Sequence, residues 1–374
     1  MPSTPNQPEP TAPEPTAPQP NNDVAPSDAT ELTLKDVGED GVLEQIFSVL
    51  QAQSAHPPAQ PPADPETHPT SASNPVAGPG DLIVGPGDDA AVSHAPGNLV
   101  SSVDILTEGA DFLPEWFDPY RLGVKAAAQN LADICSMGAN PHGLLFALAA
   151  PDDTPVNTVR LLAQGLSDEA ARGGATVIGG DLSSSQCLTS TVTALGFIDR
   201  GLTPVTRSAA KPGHDVFLAG TVGWAAAGLA LLFAGVRLGD DPLLDPFIEV
   251  QLAPRPDYES VQNLATWAAA GIDASDGLAG DLGRVARASG VRIRLDETAI
   301  DRLAEPLLPA AEHLGTPEAA RDWVLGGGED HGFLACTPAG CAPVGWTRIG
   351  ACEEGPPDVL VGDHSAADSA YKHF

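Results

Sequence analysis

Basic residues are scarce in this chain, and their scarcity argues against two classes of partner. Lys and Arg number 18 against 50 Asp and Glu, which gives a formal net charge of −32 over 374 residues. So acidic a surface repels the phosphates of nucleic acids and of anionic membranes, and we expect neither as a partner. The same charge attracts cations, although acidity that serves solubility alone explains most of it equally well.

Paired cysteines and long apolar runs are also missing. The five cysteines are scattered and form no Cys-x-x-Cys motif, which argues against a disulfide framework and indicates a reducing compartment. The longest apolar run, Trp224–Val236, has 13 residues, whereas a helix that spans a bilayer needs about 20. The N-terminus shows no basic region followed by an apolar segment. We therefore expect a soluble, cytoplasmic protein.

Two stretches lack the composition of a folded domain. Residues 1–31 are rich in Pro, Ala and Thr, and residues 54–80 are rich in Pro, Ala, Ser and His. Because such segments bury too little apolar surface to become ordered, we predict a disordered tail and a disordered insertion. A short helix, Val42–Ala52, is predicted between them.

From Asp81 onward, helix and strand signals alternate, which indicates α/β or α+β layers. The predicted strands are Leu99–Ile105, Leu144–Ala150, Ala175–Ile178, Thr189–Ile198 and Asp215–Ala219. The predicted helices are 118–137, Thr154–Arg172 and Gly223–Ala234. Because the pattern begins again after Thr206–Pro212, we predict an N-terminal domain over 32–205 and a C-terminal domain over 206–374.

Carboxylates recur beside glycines, at predicted strand ends and helix starts. The sites are GPGDDAAV (85–92), Asp104, the pair Asn130 and Asp133 on one face of a helix, Asp181, and the Asp273–Asp276 cluster. Taken singly, each carboxylate can be explained as a turn residue or as a helix cap. Ser275 or Asp276, for example, could cap the helix that follows. Taken together, they favour one shared cleft, and such oxygen-rich clusters hold Mg²⁺.

Phosphoryl transfer suits an acidic cleft of this type, because its catalysis consists mostly of positioning and of neutralising charge on the transferred group. Carboxylates repel phosphates, so metal ions would have to bridge them. The usual nucleotide motifs are absent: the chain has no GxxxxGK[ST], no HRD with DFG, and no GxGxxG opening a helix. If the protein uses ATP, it does so through another architecture.

Eight motifs, in this order, resemble the thiamine-monophosphate kinase family, which has the aminoimidazole-ribonucleotide-synthetase-like (PurM-like) fold. They are GPGDDAAV (85–92), SSVDILTEGADF (101–112), KAAAQNLADICSMGANP (125–141), GGD (179–181), TRSAAKPG (206–213), ASDGLAGDLG (274–283), GGGEDHGF (326–333) and AYKHF (370–374). Together they extend over residues 81–374.

The resemblance implies that ATP and thiamine monophosphate react to give ADP and thiamine diphosphate, by direct in-line transfer with several Mg²⁺ ions and no phospho-enzyme. It also implies a two-domain α/β fold. The N-terminal domain would bind ATP and form the interface of a homodimer, and the C-terminal domain would close over the substrate. No general base is required, because the acceptor phosphate is already anionic.

The resemblance also assigns roles to individual residues. By motif position, the metal ligands are Asp89, Ser102, Asp104, Asp133, Asp181, Asp273 and Asp276. The ATP contacts are Gly180, Asp181, Arg207 and Ser275. The thiamine monophosphate contacts are Asp111, Glu329 and Tyr371, with Asp330 in the same motif as Glu329.

The chain departs from the family pattern at three positions within these motifs. Asp111 stands where the family has His, and an extra carboxylate beside a phosphate calls for a cation. Val103 replaces a hydroxyl residue, so one metal loses a side-chain oxygen that a backbone carbonyl could supply. His331 replaces Tyr, and we expect a partly exposed structural histidine rather than a metal or phosphate contact.

Other assignments stay open at this point. The same fold is used by aminoimidazole ribonucleotide synthetase and by selenophosphate synthetase, although no reactive Cys is visible in the Gly-rich N-terminal loop that the latter would need. A nucleotide or Mg²⁺ binder without turnover is a second alternative. A third is an acidic interaction protein that binds partners through its Pro-rich tail.

Overall fold

Helices and strands alternate through most of the chain and build two β-sheets. The computed structural model describes residues 31–54, 82–86 and 90–366, and for residues 51–54 it describes the backbone alone. The described residues from Leu32 onward belong to one compact unit. Within these ranges, none of the helices is long and apolar enough to cross a membrane. The predicted tail and most of the predicted insertion lie outside the described residues.

The first sheet has four strands, in the order β3-β6-β4-β5. They are β3 (Asn98–Thr107), β4 (Asn140–Ala150), β5 (Thr176–Ser184) and β6 (Thr189–Ile198). Strand β6 pairs antiparallel with β3 and β4, whereas β4 pairs parallel with β5. The parallel pair needs a crossover, which is helix α3 (Val156–Arg172). A two-stranded ribbon, β1 (Leu82–Val84) with β2 (Val92–Ser93), precedes this sheet.

The second sheet has seven strands, in the order β13-β12-β9-β11-β7-β10-β8. They are β7 (His214–Ala219), β8 (Ala270–Ala274), β9 (Arg292–Leu295), β10 (Gly332–Pro338), β11 (Thr347–Glu353), β12 (Asp358–Val361) and β13 (His364–Ser365). Its helices are α4 (Trp224–Phe233), α5 (Asp245–Leu252), α6 (Leu264–Trp267), α7 (Leu278–Ser289), α8 (Glu297–Ala304), α9 (Leu308–His313) and α10 (Ala319–Gly326).

Helix α2 (Pro119–Ser136) lies between the two sheets. Asp118 caps its first turn by accepting a hydrogen bond from the backbone N–H of Arg121 at 2.9 Å, and Pro119 occupies the first helical position. Nearly every residue from Leu122 to Ser136 is buried, because β3, β4 and β6 cover one side while β8 and β10 cover the other. Lys125 and Asn130, which belong to this buried stretch, are therefore held inside the protein.

Most predicted elements are confirmed to within a few residues, with three differences. Helix α1 extends over Leu34–Ser54, well beyond the predicted Val42–Ala52, and is interrupted at Gly38, where φ is 67°. Strand β5 continues past its predicted end to Ser184, so Asp181 lies inside a strand rather than at its end. Helix α7 begins after Gly277 without a side-chain cap, so neither Ser275 nor Asp276 caps it.

Candidate functional site

The first half of the candidate site joins β3 to α2. The hydroxyl of Ser102 donates to Asp133 Oδ2 at 2.6 Å, and the backbone N–H of Asp104 donates to Asn130 Oδ1 at 3.0 Å. Side chains two residues apart lie on the same face of a strand, so Ser102 and Asp104 both face α2. Val103 points to the opposite face and is exposed. A hydroxyl at position 103 would therefore lie away from Asp104 and Asp133.

The second half follows β8. The carboxylate of Asp273 lies at the buried end of that strand, 3.2 Å from the imidazole Nδ1 of His331. Asp276, three residues on, forms an ion pair with Arg284. Arg284 also pairs with the buried Asp281, which accepts a hydrogen bond from the backbone N–H of Asp276 at 2.9 Å. His331 is thus a buried partner of Asp273, and the expectation of a partly exposed histidine is wrong.

The two halves influence each other's ionisation. Burial, together with the negative charge of Asp273, raises the pKa of Asp133 to about 6. Burial also raises the pKa of Asp104, and Asp273 and Asp276 act in the same direction. Carboxylates that are about 140 to 170 residues apart in sequence therefore repel one another inside one acidic cluster, which we define as Ser102, Asp104, Asp133, Asp273 and Asp276.

His331 and Asp281 lie at the edge of this acidic cluster. Burial lowers the pKa of His331, but the hydrogen bond and the charge of Asp273 outweigh burial, so the pKa lies above its ordinary value. Burial and the charge of Asp273 raise the pKa of Asp281 to about 7. An imidazolium beside Asp273 would offset part of the repulsion between the carboxylates.

Other predicted ligands lie elsewhere. Gly180 and Asp181 are exposed on β5, and Arg207 is exposed in the segment before β7. Asp89 and Tyr371 lie outside the described residues, so their predicted roles stay predictions. Across the described ranges, no three His, Cys, Asp or Glu side chains lie close enough together to hold a metal ion on their own.

A cleft lies at the start of α2. It is lined by Asp111, Phe112, Trp116, Phe117, Asp118, Arg121, Leu122, Lys125, Gln251 and Leu252. The rings of Phe112 and Phe117 stack with their centroids 5.6 Å apart. Asp111 accepts a hydrogen bond from the backbone N–H of Thr107 at 2.7 Å, which closes the turn after β3. We call this space the aromatic cleft.

Glu329 stands next to the aromatic cleft. Its backbone N–H donates to the carbonyl of Ser275 at 2.8 Å, and its carboxylate pairs with Lys125 at 3.0 Å. Burial raises the pKa of Glu329, but Lys125 and a hydrogen bond from Gln251 outweigh burial and lower it. The neighbouring Asp330 instead caps α4, accepting the backbone N–H groups of Trp224 and Ala225. The Asp330 carboxylate is therefore used to hold the start of α4, whereas the Glu329 side chain stays partly exposed.

Sequence reasoning missed Lys125, Gln251, Asp281 and Arg284. Lys125 carried a usable signal, since it is the one charge in the apolar stretch of α2 before Asp133. Gln251 carried none, because its place beside Glu329 depends on contacts between residues 78 positions apart.

Comparison with known proteins supports the architecture. Residues 87–198 match the family model described as AIR synthase related protein, N-terminal domain. A thiamine-monophosphate kinase of Mycobacterium tuberculosis is 42% identical over 288 residues, which covers 76% of this chain and 83% of that relative.

Solved structures agree. The crystal structure of thiamine-monophosphate kinase from Stenotrophomonas maltophilia K279a aligns with a TM-score of 0.68 and 30% identity, covering 76% of this chain and 92% of that one. A chain described as AaThiL complexed with AMPPCP and TMP aligns with a TM-score of 0.68 and 26% identity, covering 92% of this chain and 100% of that one.

Proposed function

The chain belongs to the thiamine-monophosphate kinase family, and from this membership we propose that it transfers a phosphoryl group from ATP to thiamine monophosphate, forming ADP and thiamine diphosphate. The expected family and the expected PurM-like α/β fold are both confirmed. One observation carries the proposal: Asp104 of β3 and Asp133 of α2 share an acidic cluster with Asp273 of β8 and Asp276, which follows β8. Such a cluster suits phosphoryl transfer, which depends on cations held beside phosphates.

We propose Mg²⁺ as the cation, and the donor set fits it. The acidic cluster offers carboxylate and hydroxyl oxygens, the ligand type that Mg²⁺ prefers, and burial together with neighbouring carboxylates raises the pKa values of Asp104 and Asp133. Ser102, Asp104, Asp133, Asp273 and Asp276 would hold the ions, with Asp89 and Asp181. When bound, Mg²⁺ supplies positive charge that neutralises the phosphate oxygens. Phosphate oxygens and water would complete the coordination shells.

The remaining assignments concern ATP and the acceptor. Gly180, Asp181, Arg207 and Ser275 would contact ATP, with the exposed Arg207 guanidinium offering a planar fork for phosphate. Asp111, Glu329 and Tyr371 would contact thiamine monophosphate. In-line transfer then requires orientation by these residues and no protein base, because the acceptor phosphate is already an anion.

We propose that the enzyme is a homodimer formed through the first sheet. Leu99, Val103 and Ile105 project from one face of β3, and Leu145 of β4 is also exposed. An exposed group of large aliphatic side chains is typical of a protein interface. The ATP contacts on β5 belong to the same sheet, which agrees with an ATP site near the interface. The cytoplasmic location stays a prediction.

Product identification tests the proposed activity. The purified protein is incubated with thiamine monophosphate, ATP and Mg²⁺, and thiamine diphosphate and ADP are separated by chromatography. We expect equal amounts of both products, lost without Mg²⁺ and lost in Asp104→Asn, because that substitution removes a charge from the acidic cluster. Asp199→Asn, in an exposed turn, is the matched control and should retain activity. Tight binding of ATP and Mg²⁺ without any thiamine diphosphate would contradict the proposal.

A further inference from the structure

Lys125 is a buried cation that the proposed chemistry does not use. Its side chain is 5% exposed in the middle of α2. Its ammonium group lies 3.0 Å from Glu329 Oε1 and donates to the backbone carbonyl of Gln251 at 3.2 Å. Burying a lysine is costly unless its charge is paired, so the fold retains this residue only because of these partners.

The Glu329 carboxylate is held at both oxygens. Lys125 contacts Oε1, and the side-chain amide of Gln251 donates to Oε2 at 2.7 Å. Because Lys125 also binds the backbone of Gln251, the three residues form a closed triangle, which we call the carboxylate clamp. Each carboxylate oxygen can accept a further hydrogen bond or face a cation.

The clamp keeps Glu329 in a single arrangement while leaving it accessible. The Glu329 side chain is still 39% exposed, although its charge partner is buried. Its backbone lies in the left-handed region with φ 68°, which a glutamate rarely adopts. Strain of this kind persists where the surroundings impose it, and it concentrates at ligand-binding positions.

The carboxylate clamp adjoins the aromatic cleft, whose walls suit an organic cation. Lys125 and Gln251 line the aromatic cleft, whose walls include the rings of Phe112, Trp116 and Phe117. Aromatic faces and carboxylates together recognise organic cations. Thiamine monophosphate carries such a cation. Its positively charged thiazolium ring lies between the pyrimidine and the phosphate.

We infer that Lys125 and Gln251 are positioning residues for substrate recognition: they fix the Glu329 carboxylate beside the aromatic cleft, where it pairs with the thiazolium of thiamine monophosphate. This inference rests on the proposed function. Among the described residues, the clamp forms a hydrogen bond to the predicted ATP and metal ligands only through the Ser275 carbonyl, so we expect it to act on binding of the acceptor.

Steady-state kinetics of single variants gives the first test. Gln251→Met removes the donor to Glu329 while nearly preserving side-chain volume. We expect the KM for thiamine monophosphate to rise about 10-fold, the size expected for a lost hydrogen bond to a charged group. We expect kcat and the KM for ATP to change less than about twofold, because the clamp holds the acceptor alone. Lys125→Met should act in the same direction, and Lys125→Arg should recover part of the loss.

A double-mutant cycle separates positioning from general structural support. In the Glu329→Gln background no carboxylate is left to orient, so Gln251→Met should raise the KM by less than about twofold. The competitive inhibition constant of thiamine, which carries the cation without phosphate, should follow the same pattern. Gln262→Met and Lys35→Met, at exposed positions, are the matched controls and should leave every constant unchanged.

The outcomes separate failure of the carboxylate clamp from failure of the proposed function. Independent, multiplying effects in the cycle would overturn the inference, as would equal losses in kcat and in the KM for ATP. If Lys125→Met fails to fold, Gln251→Met and Lys125→Arg still decide the matter. Absence of thiamine diphosphate formation by the unaltered enzyme would overturn the proposed function itself, whereas normal turnover with an additive cycle would overturn only the clamp.

Discussion

At the scale of single residues, the site is defined by carboxylates that are costly to ionise. Asp133, Asp273 and Asp281 are drawn from two sheet layers into one region, and burial together with mutual repulsion raises the pKa of Asp133 to about 6 and that of Asp281 to about 7. Arg284 compensates for part of this by pairing with both Asp276 and Asp281. Ionisation of Asp133 and Asp281 therefore lowers the stability of the fold.

Asp281 allows this cost to be measured. Its pKa in the folded protein, about 7, lies above its ordinary value of 3.8, so the folded state holds the proton more tightly than the unfolded state. Its contribution to stability is full below about pH 4 and is lost as the pH rises to about 7. The free energy of unfolding should fall less between pH 4 and 8 in Asp281→Asn than in the unaltered protein, by on the order of 4 kcal/mol.

Chemical denaturation at a series of pH values, without added metal, checks this expectation. Asp240→Asn, at an exposed position, is the control and should keep the slope of the unaltered protein. A slope that Asp281→Asn leaves unchanged would show that Asp281 is ionised in the folded protein throughout this range.

At the scale of elements, helix α2 is central because it carries residues of both the acidic cluster and the carboxylate clamp. Lys125 reaches the clamp, whereas Asn130 and Asp133 face β3. The helix also packs very closely against α3. A Cβ atom at Gly123 would collide with the Leu162 carbonyl oxygen, and one at Gly165 with the Tyr120 carbonyl oxygen.

This close packing predicts a strong effect of a single methyl group. Gly123→Ala should lower the free energy of unfolding by about 1–3 kcal/mol, because the backbones of α2 and α3 must separate. Gly283→Ala, also inside a helix, is the matched control, since its Cβ would meet only the flexible end of Arg287. That control should be neutral or stabilising, as alanine is the better helix former. Equal unfolding free energies for both variants would contradict the packing argument.

At the scale of the whole molecule, two further sets of buried contacts among the described residues help the acidic cluster to connect the layers. The carboxylate clamp is one. The other centres on the fully buried Glu169 of α3, which accepts hydrogen bonds from Arg172, Arg255 and Tyr258. Buried charges of this kind are retained only when several donors satisfy them. The outer face of the first sheet, by contrast, exposes aliphatic side chains that no described contact covers.

If this exposed face forms the proposed dimer interface, a charged residue placed there should dissociate the dimer. Val103 is 57% exposed on β3, and Val103→Glu would place two carboxylates in the proposed interface at a cost of several kcal/mol. We expect the variant to be a monomer by light scattering after size-exclusion chromatography, with reduced thiamine diphosphate formation. Val344→Glu, at a position that is 96% exposed, is the matched control and should remain dimeric. A monomeric unaltered protein would contradict the proposed homodimer.

Much of the fold could be predicted from the sequence, because helix and strand signals are local. The cap at Asp118, the proline after it and the alternation along β6 each depend on residues only a few positions apart. The extent of β5 was missed for the opposite reason: its pairing with β4, a strand more than 30 residues earlier, continues it through Gly180 and Asp181. Backbone pairing there overrides the turn signal of two glycines.

The sequence by itself determined the elements, the acidic character and the ordered motifs that mark the family, since these reside in residue types and short spacings. Only the tertiary structure decided which motifs meet. It brought Asp104 and Asp133 within electrostatic reach of Asp273, buried His331 against that carboxylate, and closed Lys125, Gln251 and Glu329 into a clamp. Such contacts follow from the packing of two sheets around α2, and packing between distant segments leaves no periodic signal in the chain.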